Sequence, residues 1–229
     1  MRSRVRAMGS WCVAAALLAA ASGLVSCRAE RNTIADAFSR NRMRSFAASV
    51  EAVRSAYASA ASEIVEGCGE VVTQFSRADD RDGAFVTARR TVVRCRGRIG
   101  QVESRIRNAE SNAIDLFEEW AKETREYTDD SLRERSRADL ADLQSRWEPL
   151  HDALRQCMEP FGPILTLMDD DTLALKHRRG SLAPELPERS MARYSEHVVE
   201  MKRWNEVIDR ACTEFRAMLP LGEIGRAHV

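Results

Sequence analysis

The apolar residues of this chain recur in alternating steps of three and four, which is the spacing of a helix that buries one stripe of its surface. Two such stripes occupy the first half and predict one helix over about 33–77 and a second from 85 onwards. The first stripe contains Met43, Phe46, Val50, Val53, Tyr57, Ala60, Ala61, Ile64, Cys68, Val71 and Phe75, and the second contains Phe85, Ala88, Val92, Cys95, Ile99, Val102, Ile106, Ala109, Ala113, Leu116 and Trp120.

A polar turn, ADDRDG at 78–83, separates the two stripes and predicts a helical hairpin over 33–127. Folding the chain back at this turn sets Val71 against Val92 in an antiparallel coiled-coil seam. Ion pairs should flank the seam, and the pairs that this register predicts are Glu70 with Arg94 and Glu66 with Arg98.

The second half repeats the plan and predicts another hairpin over 131–219. Its turn, RRGSLAPELP, is rich in glycine and proline. Ser131 and Glu134 have the spacing of a capping box that would start the third helix. The stripes contain Leu140, Leu143, Trp147, Leu150, Leu154, Cys157, Phe161, Ile164 and Met168, then Met191, Tyr194, Val198, Met201, Asn205, Ile208, Cys212, Phe215 and Leu219.

The third helix contains residues that kink or break helices, because proline lacks the backbone donor of the helical hydrogen bond. Pro149, Pro160, Gly162 and Pro163 are these residues, although the apolar stripe stays in phase across them. The sequence therefore leaves open whether this helix continues or breaks near Gly162, which would make five helical segments.

The predicted fold is all-α, with two antiparallel coiled-coil hairpins packed as one elongated up-down-up-down four-helix bundle over 33–219. Other apolar residues lie beside the main stripes and are expected to bury between the hairpins. They are Val65, Val72, Val86, Val93, Ile114 and Phe117.

The N-terminus has the layout of a secretory signal. Arg2, Arg4 and Arg6 precede an apolar run, residues 11–25, that is too short to span a membrane. Removal of residues 1–26 is expected.

The stretch Leu24-Val25-Ser26-Cys27 resembles the bacterial lipobox, whose cysteine becomes the new N-terminus and carries a diacylglyceryl group on sulfur. We expect lipidation of Cys27, a tether over 27–32 and a location on the periplasmic face of a bacterial membrane. Because Arg28 is the residue that follows the lipidated cysteine, the outer membrane is the favoured location. The alternative is a signal in which Cys27 is incidental, as Cys12 is.

Four further cysteines form two pairs that mirror each other about the predicted turns. Buried thiols, a metal site and disulfides are the alternatives, but zinc sites usually show close cysteine or histidine pairs, which are missing here. An exported protein meets an oxidising compartment. The predicted disulfides are Cys68 with Cys95 and Cys157 with Cys212.

Charge does not favour a nucleic-acid partner. Lysine and arginine together number 35, as do aspartate and glutamate, so the chain has no net field that would attract polyanions. The basic run RRTVVRCRGR at 89–98 could bind nucleic acid or anionic lipid, but the flanking ion pairs predicted above can absorb its charge.

No pattern indicates a reaction, a metal or a cofactor. Asp169, Asp170 and Asp171 are consecutive on a helix and point about 100° apart, so a solvated face is expected rather than a cation site. His151, His177 and His197 have no paired spacing, and no nucleophile motif or glycine-rich phosphate loop is present. An enzyme is therefore not expected. The last six residues, 224–229, match one frame of a common sequencing adapter, so this tail is interpreted as possibly non-native.

Two stretches carry a resemblance to a known family: AIDLFEEWAKETREYTDDSLR at 113–133 and PILTLMDDDTLALKH at 163–177. The chain resembles an uncharacterised bacterial coiled-coil family, known only as a domain of unknown function, whose members often look exported. The resemblance implies a helical fold and supplies no catalytic residues.

The leading hypothesis is a lipid-anchored periplasmic protein that has a structural or partner-binding role in the cell envelope and no chemistry of its own. The alternative is an accessory module that holds a small apolar molecule between the hairpins. The partner would be an unknown envelope protein, and the two hairpin tips farthest from the anchor should contact it. The candidate contact residues are Asp79, Asp80, Asp82, Lys176, His177, Arg178 and Arg179.

Overall fold

The computed structural model describes residues 40–76, 80–177 and 186–219, and within them it contains only helices and turns. The predicted signal peptide, Cys27, the tether and the 224–229 tail lie outside the described residues. None of the described helices is both long and apolar enough to cross a membrane. The helices are α1 (Arg40–Gln74), α2 (Arg81–Thr124), α3 (Asp130–Gln156), α4 (Phe161–His177) and α5 (Leu186–Met218).

The helices form an antiparallel bundle in which α1 packs against α2, α2 against α3, and α4 against α5. α1 packs most extensively on α2 and also packs on α5. α2 packs on both α3 and α4, which together make the third rod, and α3 and α4 both pack on α5. The prediction of an all-α four-helix bundle is confirmed.

One common core joins the two hairpins. The ring of Phe46 in α1 lies 5.0 Å from the ring of Trp147 in α3 and 5.5 Å from the ring of Phe215 in α5, between ring centroids. Farther along α1, the buried phenol of Tyr57 donates a hydrogen bond to the Met201 carbonyl in α5, at 3.3 Å. The primary stripes therefore face one another across all the rods.

This arrangement corrects the prediction of a separate second apolar layer. Val86, Val93 and Ile114 are 41%, 59% and 55% exposed, whereas Val65, Val72 and Phe117 are half-buried. Because the primary stripes already meet between the hairpins, the outer face of α2 is not needed to close the bundle.

The third rod breaks before Gly162. The chain leaves α3 at Gln156 and passes through a turn at 157–160, in which the amide of Phe161 bonds to the Met158 carbonyl. Pro163 lies in the first turn of α4, where the missing amide hydrogen costs nothing, since the first amides of a helix have no intrahelical partner. Pro149 lies inside α3 without ending it.

The start of α3 corrects the predicted capping box. Asp129, rather than Ser131, is the N-cap, and its carboxylate accepts hydrogen bonds from the amides of Ser131 and Leu132 at 2.8 and 3.1 Å. Aspartate at this position also places a negative charge at the positive end of the helix dipole.

Candidate partner-binding surface and buried polar groups

The described residues among the predicted partner contacts lie at one end of the bundle. The ammonium of Lys176, in the last turn of α4, sits 5.9 Å from the ring centroid of Phe85, in the second turn of α2. Asp82, Lys176 and His177 are exposed. The structure therefore brings an acidic and a basic residue set to the same end, while Asp79, Arg178 and Arg179 lie outside the described residues.

Asp80 has a structural task that the sequence interpretation missed. It is the N-cap of α2, and its carboxylate accepts a hydrogen bond from the Gly83 amide at 2.9 Å. Asp82 and Gly83 accordingly belong to the first turn of α2 and not to the loop. Asp82 is thus the exposed acidic candidate that does not cap the helix.

The basic run is largely neutralised inside the chain. Arg94 pairs with both Glu63 and Glu70, and the second of these partners was predicted. Arg98 pairs with Glu63 at 3.7 Å rather than with Glu66, so the predicted partner of Arg98 is corrected. Arg96 reaches across to Asp169 on α4. These ion pairs connect three helices and support the structural interpretation of the run.

The three consecutive aspartates have different environments, and one of them is buried. Asp171 is only 4% exposed, which contradicts the expectation of a solvated face at that position. Its carboxylate accepts a hydrogen bond from the Tyr194 phenol at 2.6 Å, and the Arg193 guanidinium lies 3.5 Å away. Burial, reinforced by this hydrogen bond, raises the pKa of Tyr194, so the phenol keeps its proton.

The sequence did contain a signal for this pair. Asp171 continues the three-four stripe of Ile164 and Met168, and Tyr194 belongs to the stripe of α5. A polar residue at a core position requires a hydrogen-bonding partner, and tyrosine is an aromatic residue that can supply one.

The predicted disulfides are absent from the structure. Cys68, Cys95, Cys157 and Cys212 are buried free thiols. The Cys157 thiol donates a hydrogen bond to the Leu154 carbonyl at 3.0 Å, so its sulfur is engaged within its own helix end. The mirrored cysteines do occupy neighbouring parts of the core, but without a bond between them.

Burial makes these thiols poor nucleophiles, because the thiolate is the reactive form. Desolvation raises the pKa of Cys68, Cys157 and Cys212 to about 12 and that of Cys95 to about 11. The neighbouring Cys95 contributes to the shift at Cys68, and Cys212 contributes to the shift at Cys157.

A second polar group connects α2 to α3. The Glu110 carboxylate is 2.7 Å from His151 Nε2 and 3.0 Å from Arg155 Nε. The His151 ring stacks on Trp147, with a centroid distance of 5.5 Å. Burial alone would raise the pKa of Glu110, but the hydrogen bonds from His151 and Arg155 outweigh burial and lower it.

The described residues contain no group of three or more side chains placed to hold a metal ion. An open surface groove runs along one helix, α5, and is lined by Ser195, Glu196, His197, Val199 and Glu200. Single-helix grooves of this kind lack the converging walls of a ligand site.

Comparison with known proteins gives a family but no relative of known activity. No curated protein and no solved structure matches the chain. The family described as Protein of unknown function (DUF2959) matches residues 38–215, which include all of the described residues except 216–219. The chain therefore belongs to the DUF2959 family.

Proposed function

We propose that this chain is a lipid-anchored protein on the periplasmic face of a bacterial membrane, with the outer membrane favoured, where it binds an envelope protein and performs no reaction itself. Three features support the anchor: the arginines before the apolar run, the length of that run, and the lipobox that ends at Cys27. A mature lipoprotein carries several acyl chains, and this gives lasting attachment.

The observation that carries the partner-binding role is the Lys176–Phe85 contact. It brings the last turn of α4 beside the first turns of α2, where Asp82, Lys176 and His177 are exposed and contribute nothing to the core. Opposite charges presented side by side can steer and orient a protein partner whose surface has the complementary pattern.

Asp82 and Lys176, two of the described candidates beside the charged turns, lie far from the start of α1. α1 has 35 residues, so at 1.5 Å per residue its two ends are about 50 Å apart. Arg42 at its beginning forms ion pairs with Asp115 and Glu119 near the end of α2, whereas Asp82 lies in the first turn of α2, at the opposite end. The start of α1, which follows the predicted tether along the sequence, and the described partner candidates thus lie at opposite ends of the helices.

The alternative role, binding of a small apolar molecule between the hairpins, requires space that the close packing near Gly67 argues against. A Cβ atom added at Gly67 would lie 2.8 Å from Cys95 Sγ and 3.3 Å from a Met168 methyl group. Three helices therefore approach closely at this point, which favours a role carried by the outer surface.

The anchor is tested with Cys27→Ser, and Cys12→Ser serves as the matched control because Cys12 lies in the apolar run that precedes Cys27. Cys27→Ser should move the protein from the membrane fraction to the soluble fraction, whereas Cys12→Ser should leave it bound. Mass spectrometry of the membrane-bound wild-type protein should find acyl chains on Cys27. An unmodified Cys27 in that fraction would refute the anchor.

A further inference from the structure

The outer face of α2 carries a second stripe that the bundle does not use. Val86, Val93, Gly100, Arg107 and Ile114 recur every seven residues, and all five are exposed. A second exposed row lies four residues after each of these five positions. The combined steps therefore alternate between four and three, as in a packing seam. That row contains Arg90, Gly97, Ser104, Ser111 and Glu118.

This stripe points away from the neighbouring helices. On one side of it, Arg94 reaches α1 through Glu63 and Glu70, and on the other side Arg96 reaches α4 through Asp169. The residues between these two flanks therefore face outward along the whole helix.

Two glycines in the stripe are unexplained by packing within the described part of the chain. Glycine in a helix interior costs about 1 kcal/mol relative to alanine. A Cβ atom added at Gly97 or Gly100 would meet nothing within 4 Å. Gly67 differs, because neighbouring side chains occupy the space that its Cβ would need. The outer glycines leave room for a backbone from another molecule.

The stripe is complementary to itself when it is reversed about Ser104. Gly97 then faces Ser111, and both are small. Apolar Val93 lies within one residue, about 1.5 Å, of the level of Ile114, and Gly100 lies equally near the level of Arg107 and leaves space for its long side chain. The outermost of these pairs, Arg90 with Glu118, joins opposite charges that have no ion pair within the described residues.

We propose that α2 packs antiparallel against α2 of a second copy of this chain, with the two-fold axis at Ser104. Such a contact is isologous, since each residue pair occurs twice across the axis. From Val86 to Glu118 the paired helices extend about 50 Å at 1.5 Å per residue. The proposal goes beyond the partner-binding role and does not depend on it.

Disulfide trapping of the full chain in bacterial cells tests the pairing. With Ser104→Cys, the two introduced thiols meet at the axis, and copper phenanthroline should convert the protein to a dimer on a non-reducing gel. Ser111→Cys is the matched control on the same exposed row. Its thiol would lie opposite Gly97 and about 20 Å along the helix from its counterpart, so it should not crosslink. The wild-type chain is the control for crosslinking through the native cysteines.

Charge reversal supplies the second measurement. In the Ser104→Cys background, Arg90→Glu should reduce the crosslinked fraction about tenfold or more, because it sets two carboxylates against each other. Adding Glu118→Arg should restore crosslinking. Both positions are exposed, and unchanged helicity by circular dichroism confirms folding.

Three results would overturn the proposal. One is failure of Ser104→Cys to crosslink. Another is equal crosslinking of Ser104→Cys and Ser111→Cys, which indicates a parallel pair or random collision. The third is insensitivity to Arg90→Glu. None of these variants alters Cys27 or the charged turns, so loss of the dimer leaves the proposed anchor and partner role to their own tests.

Discussion

The hydrogen bond between Asp171 in α4 and Tyr194 in α5 is expected to stabilise the core where these two helices pack. A buried carboxylate is costly unless hydrogen bonds compensate it, and the Tyr194 phenol supplies a 2.6 Å bond. Tyr194→Phe should lower the free energy of unfolding by about 1–3 kcal/mol, since it removes a donor to a buried charged group. Urea denaturation measures this change.

Tyr127→Phe is the matched control for that substitution, because Tyr127 lies in the α2–α3 turn and is only half-buried. It should change the free energy of unfolding by less than about 0.5 kcal/mol. Equal effects of the two substitutions would show that the Asp171 hydrogen bond contributes nothing specific.

Glu110 predicts a pH dependence. Its folded-state pKa lies below the ordinary value of 4.5, so its contribution to stability is fully present above that value and is lost as the pH falls through the folded pKa. Glu110→Gln should destabilise the protein by about 1 kcal/mol at neutral pH, and the difference from wild type should shrink near pH 3.

Glu103→Gln controls for a general effect of removing a carboxylate from α2. Glu103 is 51% exposed and lies 3.9 Å from Arg107, so its ion pair should contribute little at either pH. Chemical denaturation of both variants at neutral and acidic pH provides the comparison. A Glu110→Gln deficit that persisted unchanged at acidic pH would contradict the assignment.

Among the elements, the N-terminus of α3 gives the clearest test of local structure. Asp129→Ala removes the cap and should cost about 1 kcal/mol of unfolding free energy. Glu134→Ala should cost much less, whereas a capping box would make Glu134 important. Thermal denaturation of the two variants distinguishes the arrangements, and a larger loss for Glu134→Ala would restore the capping box.

The helices themselves were predictable, because the three-four spacing of apolar residues is a direct consequence of burying one face. The ends of the helices were harder to predict. Asp129 and Ser131 both suit an N-cap, and the choice depends on the backbone path out of α2. Asp171 was missed since consecutive aspartates suggest a polar face, and only the position of Tyr194 shows that one of them is satisfied inside.

For the whole molecule, the close approach of α1, α2 and α4 at Gly67 is a central feature of the packing. Gly67→Ala places a methyl group 2.8 Å from Cys95 Sγ and should destabilise the protein by about 1–3 kcal/mol through overpacking. Gly69→Ala lies on the same helix with nothing within 4 Å and should stabilise by about 0.5–1 kcal/mol. Equal changes in melting temperature would contradict this packing.

At this scale the sequence predicted one bundle but not which apolar residues would close it. Val93 and Ile114 look suited to a second layer, yet they stay exposed because the primary stripes already meet across the hairpins. The disulfide prediction failed for a related reason. Mirrored positions bring Cys157 and Cys212 to one region of the core, but sulfur orientation is set by local contacts such as the Leu154 carbonyl.

The central claim is that the charged turns bind an envelope protein, and crosslinking followed by pulldown from intact cells tests it most directly. The tip variant neutralises Asp82, Lys176 and His177 together with Arg178 and Arg179, and it retains Asp80 because that residue caps α2.

The control variant for this pulldown neutralises Lys202, Arg210 and Glu214, which are exposed on α5 away from the turns. Both variants should keep wild-type helicity. The account predicts that the tip variant loses at least one crosslinked protein that the control retains. Retention of every crosslinked protein by the tip variant would contradict it and move the binding surface to the helix faces.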